Sequence, residues 1–282
     1  SNAEWKRFFE KCVAGANDSI EDKTARIQED HVQLLYRDDG TAKNITLIDK
    51  DNIHNNRLQV INQYTVGQDA ARYANRYDVT ILVNGLPMVH VELKRRGVAL
   101  REAFNQIDRY QRDSFWAGSG LFEYVQIFVI SNGTLTKYYA NTTRRQHLDE
   151  TRGKKQARRT SNSFEFTSWW ADAANTPITD LTAFAQTFFA RHTLLNILTK
   201  YCVFTSERLL LVMRPYQIAA TERILQRIAT STNYKQLGKL AAGGYIWHTT
   251  GSGKTLTSFK TAQLATKMPG VSKVLFVVDR KD

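Results

Sequence analysis

Three side chains between residues 78 and 94, Asp78, Glu92 and Lys94, have the types and spacing needed to cut a phosphodiester. Carboxylates bind a hard cation such as Mg2+ through oxygen, and the cation activates water and neutralises phosphate charge. A lysine beside the attacking water stabilises the negative charge that develops. Two β-branched, alternating runs flank Asn84-Gly85-Leu86-Pro87, which is a hairpin signal. On the second run His90, Glu92 and Lys94 share one face, and Val89, Val91 and Leu93 share the other. The apolar set must face a core, so Glu92 and Lys94 project together from the opposite face. Folding about Gly85 and Leu86 sets Asp78 across from residues 92–93, once a bulge is allowed. Asp78 and Glu92 are therefore the expected metal ligands. Downstream, Gln106 and Tyr110 stand at i and i+4 on an amphipathic helix expected over 99–112, so they share a face and complete the candidate catalytic set. Glu-x-Lys alone is a weak signal, because charged residues two apart are common on exposed strands. The order Asp78, Glu92, Lys94, Gln106, Tyr110 carries the reading.

A second cluster lies near the other end, where His248 is followed by Thr249, Thr250, Gly251, Ser252, Gly253, Lys254 and Thr255. A strand is expected at 243–248 and a helix at 254–266. Backbone N–H groups of a small-residue loop and a helix N-terminus suit phosphate oxygens. The run resembles a Walker A loop, with His248 where glycine is usual. The resemblance implies that Lys254 reaches the β- and γ-phosphates of ATP and that Thr255 ligates its Mg2+. Upstream, Arg214-Pro215-Tyr216-Gln217 precedes an expected helix at 215–229. A glutamine amide offers one donor and one acceptor, matching an adenine edge, and the run resembles the glutamine motif of superfamily 2 motors. A capped helix start accounts for the same residues. Residues 273–279 are expected as the next strand.

Other elements must position these groups. A helix is expected over 19–36, with Ser19 as N-cap and Ile20, Ile27, Leu34 and Leu35 on one stripe. Strand-like runs follow at 45–48, 59–66, 122–131 and 135–139, and helices at 178–190 and 193–200. Three segments result: a nuclease domain over 4–143, a basic linker with bridging helices over 144–213, and the start of a motor domain over 214–282. Ser1-Asn2-Ala3 reads as the cleavage scar of an expression tag and is set aside. The chain is expected to continue beyond Asp282, since it stops just after a strand.

Lys and Arg number 39 against 27 Asp and Glu, for a net charge of +12, and such an excess draws polyanions, nucleic acid first. Seven of the basic residues lie between 144 and 163, in what reads as an exposed loop or linker; simple solvation and contact with DNA phosphate explain it equally. No run of 18 apolar residues occurs, which argues against a membrane span. Cys12 and Cys202 are far apart and in no ligand spacing, as expected of a reducing, cytoplasmic protein.

Asp78, then Glu92-Leu93-Lys94, resembles the PD-(D/E)xK nuclease pattern, with Tyr77 in place of the proline. The Gln106 and Tyr110 pair resembles the extra motif of RecB-like nucleases. In joint order with Ser131-Asn132-Gly133, the basic linker, the glutamine motif and the phosphate loop, the chain resembles the restriction (R) subunit of type I restriction endonucleases. The resemblance implies a restriction-endonuclease-like α/β core followed by the beginning of a RecA-like doubly wound ATPase lobe. It implies ATP-driven translocation, Mg2+-dependent cleavage of unmodified double-stranded DNA, and docking on methyltransferase (M) and specificity (S) subunits. Two other readings stay open: a RecB-like repair helicase–nuclease, and a non-enzymatic DNA-binding or assembly module whose Glu-x-Lys is a surface accident.

Overall fold

The computed structural model describes residues 1–15, 17–66, 75–117, 119–142 and 163–277. They divide into two units, residues 1–170 with 177–212, and residues 171–176 with 213–282. In the first unit, helices α1 (Asn2–Phe8) and α2 (Ile20–Gln28) start at serine caps. Ser1 Oγ accepts from the Glu4 N–H at 3.2 Å, and Ser19 Oγ from the Asp22 N–H at 3.1 Å. Each acidic residue reaches back to its cap, a reciprocal box that satisfies two orphan donors. Ser1, set aside with the tag scar, thus caps a helix.

The single helix expected over 19–36 does not form. After α2 ends at Gln28, residues Val32–Tyr36 make strand β1, paired antiparallel with β2 (Ala42–Thr46). Backbone pairing with β2 outweighs the helical spacing of Leu34 and Leu35 from Ile27. Gly40, at φ 83°, lets the chain turn back between the two strands.

Strands β3 (Leu58–Val66), β4 (Asn75–Val83), β5 (Leu86–Leu93), β6 (Ile127–Ser131) and β7 (Thr136–Ala140) form one sheet in that spatial order. All neighbours are antiparallel except β5 and β6, which are parallel and joined through helix α3 (Leu100–Asp113). Parallel neighbours need such a crossover, whereas β4 and β5 need only the Asn84-Gly85 turn, where φ is 51° and 86°. The run expected as a strand from 122 starts instead as a short 3-10 turn, Leu121–Tyr124, before β6.

Seven of the eight residues of β5 are buried, so both of its faces need cover. On one face Ile81, Val83, Val89, Val91, Ile127 and Val129 pack with Phe8, Ile27 and two further helices, α4 (Leu181–Phe188) and α5 (Arg191–Thr199). Phe184, Phe188, Leu194, Leu195 and Leu198 of those helices are core residues of this unit. On the other face α3 lays Leu100, Ala103, Phe104, Ile107 and Tyr110 against Tyr77, Phe128, Ile130 and Tyr139. The i, i+3, i+4, i+7 spacing of the helix residues is the stripe that burial of one helix face requires. A small hairpin, β8 (Cys202–Phe204) with β9 (Leu210–Val212), completes the unit.

The second unit holds helices α6 (Pro215–Asn233) and α7 (Lys254–Ala265). The strands expected at 243–248 and 273–279 are absent among the described residues, and Tyr245, Trp247, Leu275 and Val277 are exposed. A strand persists only where a neighbour takes its backbone hydrogen bonds, and the described part of this unit offers none. The class is α/β, with a mixed central sheet. The basic segment at 144–163 lies outside the described residues except for Ser163. No helix among the described residues is long and apolar enough to cross a membrane.

One buried ion pair ties α2 to the loop ahead of β6. Lys23, its side chain 2% exposed, donates to the Gly120 carbonyl at 2.9 Å and to Glu123 at 2.8 Å. Removing one partner leaves the other without compensation, so Lys23→Met should cost about 3 kcal/mol in a urea titration. A loss below about 0.5 kcal/mol would show that the pair gives no net stability.

Candidate active site

Backbone pairing between β4 and β5 runs from Val83 opposite Leu86 to Val79 opposite Val91, with a register shift at Ile81 and Leu82. Beyond Val79 the ladder stops and a side chain takes over. The Leu93 N–H donates to Asp78 Oδ2 at 2.9 Å, so a carboxylate closes the strand pair where a carbonyl would otherwise stand. On its other side β5 continues, through the Lys94 N–H donating to the Ser131 carbonyl at 2.8 Å. The bulge is what lets Asp78 reach this position from the opposing strand.

Glu92 is fully buried. Its Oε1 accepts from Lys94 Nζ at 2.8 Å. Lys94 Nζ also donates to Gln106 Oε1, and Gln106 Nε2 donates to the Tyr110 hydroxyl. That hydroxyl donates in turn to the Arg76 carbonyl at 3.0 Å. A chain of polar contacts therefore runs from β5 through α3 and back to β4, two residues before Asp78. Burial first, then the carboxylates of Glu92 and Asp78, push the Tyr110 phenol above its ordinary value, against the Gln106 contact that lowers it. The phenol stays a donor. All five residues singled out in the sequence as a catalytic set, Asp78, Glu92, Lys94, Gln106 and Tyr110, lie on these contacts.

Asp78 feels the burial and the charge of its neighbour together. Burial pushes its carboxyl above the ordinary value of 3.8 and Glu92 adds to this, while the Leu93 N–H bond and Lys94 oppose it. Glu92 Oε2 is buried with no hydrogen-bond partner among the described residues. A buried, unsatisfied carboxylate oxygen beside a second carboxylate is a donor set that a hard cation fits. No group of three or more His, Cys, Asp and Glu side chains suited to a metal occurs among the described residues. The described residues offer two carboxylates here, and a cation taking only these would retain most of its waters.

The loop expected to hold phosphate belongs to the second unit. Gly251 and Gly253 take left-handed φ values of 77° and 80°, which glycine adopts without strain. A Cβ on Gly253 would sit 2.4 Å from Gln217 Nε2, so a larger residue would displace that amide from the loop. Gln217 is 4% exposed and spans two elements. Its Oε1 accepts from the Arg214 N–H at 2.8 Å, and its Nε2 donates to the Ser252 carbonyl at 2.9 Å. The Tyr216 hydroxyl donates to the same carbonyl at 2.8 Å, and its ring meets His248 edge-on at 5.6 Å. Lys254 Nζ rests on the Thr249 carbonyl at 3.3 Å. Thr249, Thr250, Lys254 and Thr255 are exposed around the head of α7, and Arg214 is exposed at the N-cap of α6. The helix-start reading of the run from Arg214 to Gln217 holds, with Pro215 at the first helical position, and the glutamine amide is occupied by its own loop. Sequence reasoning missed Tyr216 as a second anchor of that loop; an aromatic beside a capping residue gives no signal of its partner.

Residues 1–147 match the family model described as the type I restriction enzyme R protein N terminus, and residues 216–282 match that of the SWI2/SNF2 ATPase. The type I restriction enzyme EcoprrI endonuclease subunit of Escherichia coli is 52% identical over 237 residues, covering 84% of this chain and 70% of that protein. A type I restriction enzyme endonuclease subunit of Staphylococcus aureus strain MSSA476 is 41% identical over 261 residues, covering 92% of this chain. The chain spans 25% of that relative's length. A putative endonuclease subunit of the same type from Methanocaldococcus jannaschii is 24% identical over 263 residues.

The raised Asp78 carboxyl has a consequence for stability. A group whose folded pKa lies above its unfolded value contributes stability that is present in acid and lost as pH rises through the folded value. From 3.8 upward, ionised Asp78 should therefore weigh increasingly against the native state. Denaturant titrations of Asp78→Asn and wild type at about pH 4 and pH 7 should show the variant gaining relative to wild type at the higher pH. A relative loss at the higher pH would show that the Leu93 N–H bond and Lys94 outweigh burial.

Proposed function

The chain belongs to the type I restriction enzyme R protein family, and from that premise we propose that it is the nuclease domain and motor start of an ATP-dependent restriction endonuclease subunit. The observation that carries the reading is the meeting of Asp78, Glu92 and Lys94 where the backbone ladder of β4 and β5 gives out. Identity of 52% to an endonuclease subunit favours it over a repair helicase–nuclease and over a non-enzymatic module. The substrate is double-stranded DNA lacking the protective modification. M and S subunits are the partners, Mg2+ and ATP the cofactors, and the cytoplasm the location.

Asp78 and Glu92 would hold Mg2+, with the Leu93 carbonyl as a third oxygen. When bound, the ion supplies an activated water and charge neutralisation at the scissile phosphate. Lys94 carries a fixed positive charge beside Glu92 and directs it toward the phosphate oxygens. Gln106 holds the ammonium from its far side, so Lys94 is aimed without having to find its place during the reaction. Tyr110 fixes the Arg76 carbonyl, and with it the strand that carries Asp78. In the second unit Lys254 would bind the β- and γ-phosphates of ATP, and Thr255 its Mg2+. Gln217 and Tyr216 would keep the loop of Thr249, Thr250, Gly251, Ser252 and Gly253 shaped for them.

The two sites can be separated in a complete R subunit carrying this segment, assembled with its M and S partners. Glu92→Ala should lower DNA cleavage by about 100-fold or more and leave DNA-stimulated ATP hydrolysis within about twofold of wild type. Lys254→Ala should remove both activities, since cleavage follows translocation. Cleavage that survives Glu92→Ala contradicts the nuclease assignment, and ATP hydrolysis that survives Lys254→Ala contradicts the phosphate-loop assignment.

A further inference from the structure

His90 is fully buried, and its Nε2 has no hydrogen-bond partner among the described residues. The same is true of Glu92 Oε2, and the two atoms face each other at 3.6 Å. Each would be costly to bury alone. The imidazole is locked by edge-to-face packing against Tyr77 at 5.6 Å, Tyr110 at 6.0 Å, Phe115 at 5.6 Å and Phe128 at 6.3 Å. With the ring unable to turn, its other nitrogen, Nδ1, points at Thr80 Oγ1, 3.4 Å away. Thr80 is buried and sits directly opposite His90 in the β4–β5 register. A threonine hydroxyl that donates to Nδ1 leaves the imidazole proton on Nε2, aimed at the carboxylate.

We infer that His90 is a positioning residue for the metal-binding carboxylate. The Thr80 and His90 pair holds Glu92 Oε2 while Lys94 holds Oε1, so both oxygens are oriented before a divalent ion arrives. Each carboxylate oxygen keeps a further lone pair for the ion. The inference rests on the reading of Glu92 as a metal ligand. Outer partners of this kind orient the ligand, and their loss typically weakens metal binding 10- to 100-fold. Neither His90 nor Thr80 touches DNA in this arrangement; both act through Glu92.

Calorimetric titration of the 282-residue chain with Mg2+ tests it, with thermal unfolding as a check on fold. His90→Leu should raise the Kd for Mg2+ by about 10-fold or more. Thr80→Val, which keeps the shape and removes the hydroxyl, should raise it in the same direction by less. His90→Gln keeps an N–H of similar reach and should recover most of the loss, which a packing role alone would not produce. A folded His90→Leu chain that binds Mg2+ as wild type does overturns the inference. If His90→Leu does not fold, unchanged binding by Thr80→Val overturns it instead. Glu92→Ala separates this from the underlying reading: if that variant also binds Mg2+ normally, the metal site itself is misassigned. Loss with Glu92→Ala alone removes only the role of His90.

Discussion

A carboxylate with no solvent exposure, Glu92, sits near the centre of a sheet that is covered on both faces, and the first unit is organised around that burial. An isolated charge there would be strongly unfavourable. The fold offsets it with Lys94 on one oxygen, and passes the contact outward through Gln106 and Tyr110 to the backbone of β4. The same helix that supplies Gln106 supplies the apolar stripe from Leu100 to Tyr110 that seals the face. Tyr110 serves both, its ring in the packed stripe and its hydroxyl in the polar chain. The second carboxylate, Asp78, is placed by the loss of backbone pairing past Val79 and by the Leu93 N–H. Glu92 is held apart from bulk water and Asp78 is partly buried beside it, a setting in which a cation gains more from meeting them than it would in water.

Much of this region was legible because short-range rules decide it. Asn84-Gly85 sets the turn, the turn sets the register, and period-two alternation then fixes which side chains share a face. The apolar stripe on α3 was equally direct. The boundary after α2 was not, because no glycine or proline marks Gln28 and the spacing of Leu34 and Leu35 continues the helical count. Only pairing with β2, a tertiary fact, turns Val32–Tyr36 into a strand. His90 was visible as a residue on the face of Glu92, but its surroundings depend on Tyr77, Tyr110, Phe115 and Phe128, drawn from three separate stretches of chain. No spacing rule brings those together.

The second unit shows the opposite balance. Its helices and the glycine turn between them are local structures, set by Pro215 at a helix start and by glycines at positive φ, and the two helices form as expected. Its expected strands have β-branched and aromatic composition but no neighbour among the described residues, and composition cannot stand in for a hydrogen-bonded partner. Gln217 shows how a single side chain can answer two sequence signals at once. Its amide caps α6 and holds the Ser252 carbonyl, so the glutamine motif and the phosphate loop are mechanically one feature.

The central claim is that burial of Glu92 is maintained for the sake of a cation. Thermal unfolding of wild type and of the isosteric Glu92→Gln chain, each with and without Mg2+, tests it most directly. A ligand bound only by the native state stabilises it by about 2.7 kcal/mol at a hundredfold excess over its Kd. The wild-type midpoint should therefore rise by several degrees with Mg2+, and that of Glu92→Gln should not move. Equal rises in the two proteins, or no rise in wild type at saturating Mg2+, would contradict the claim.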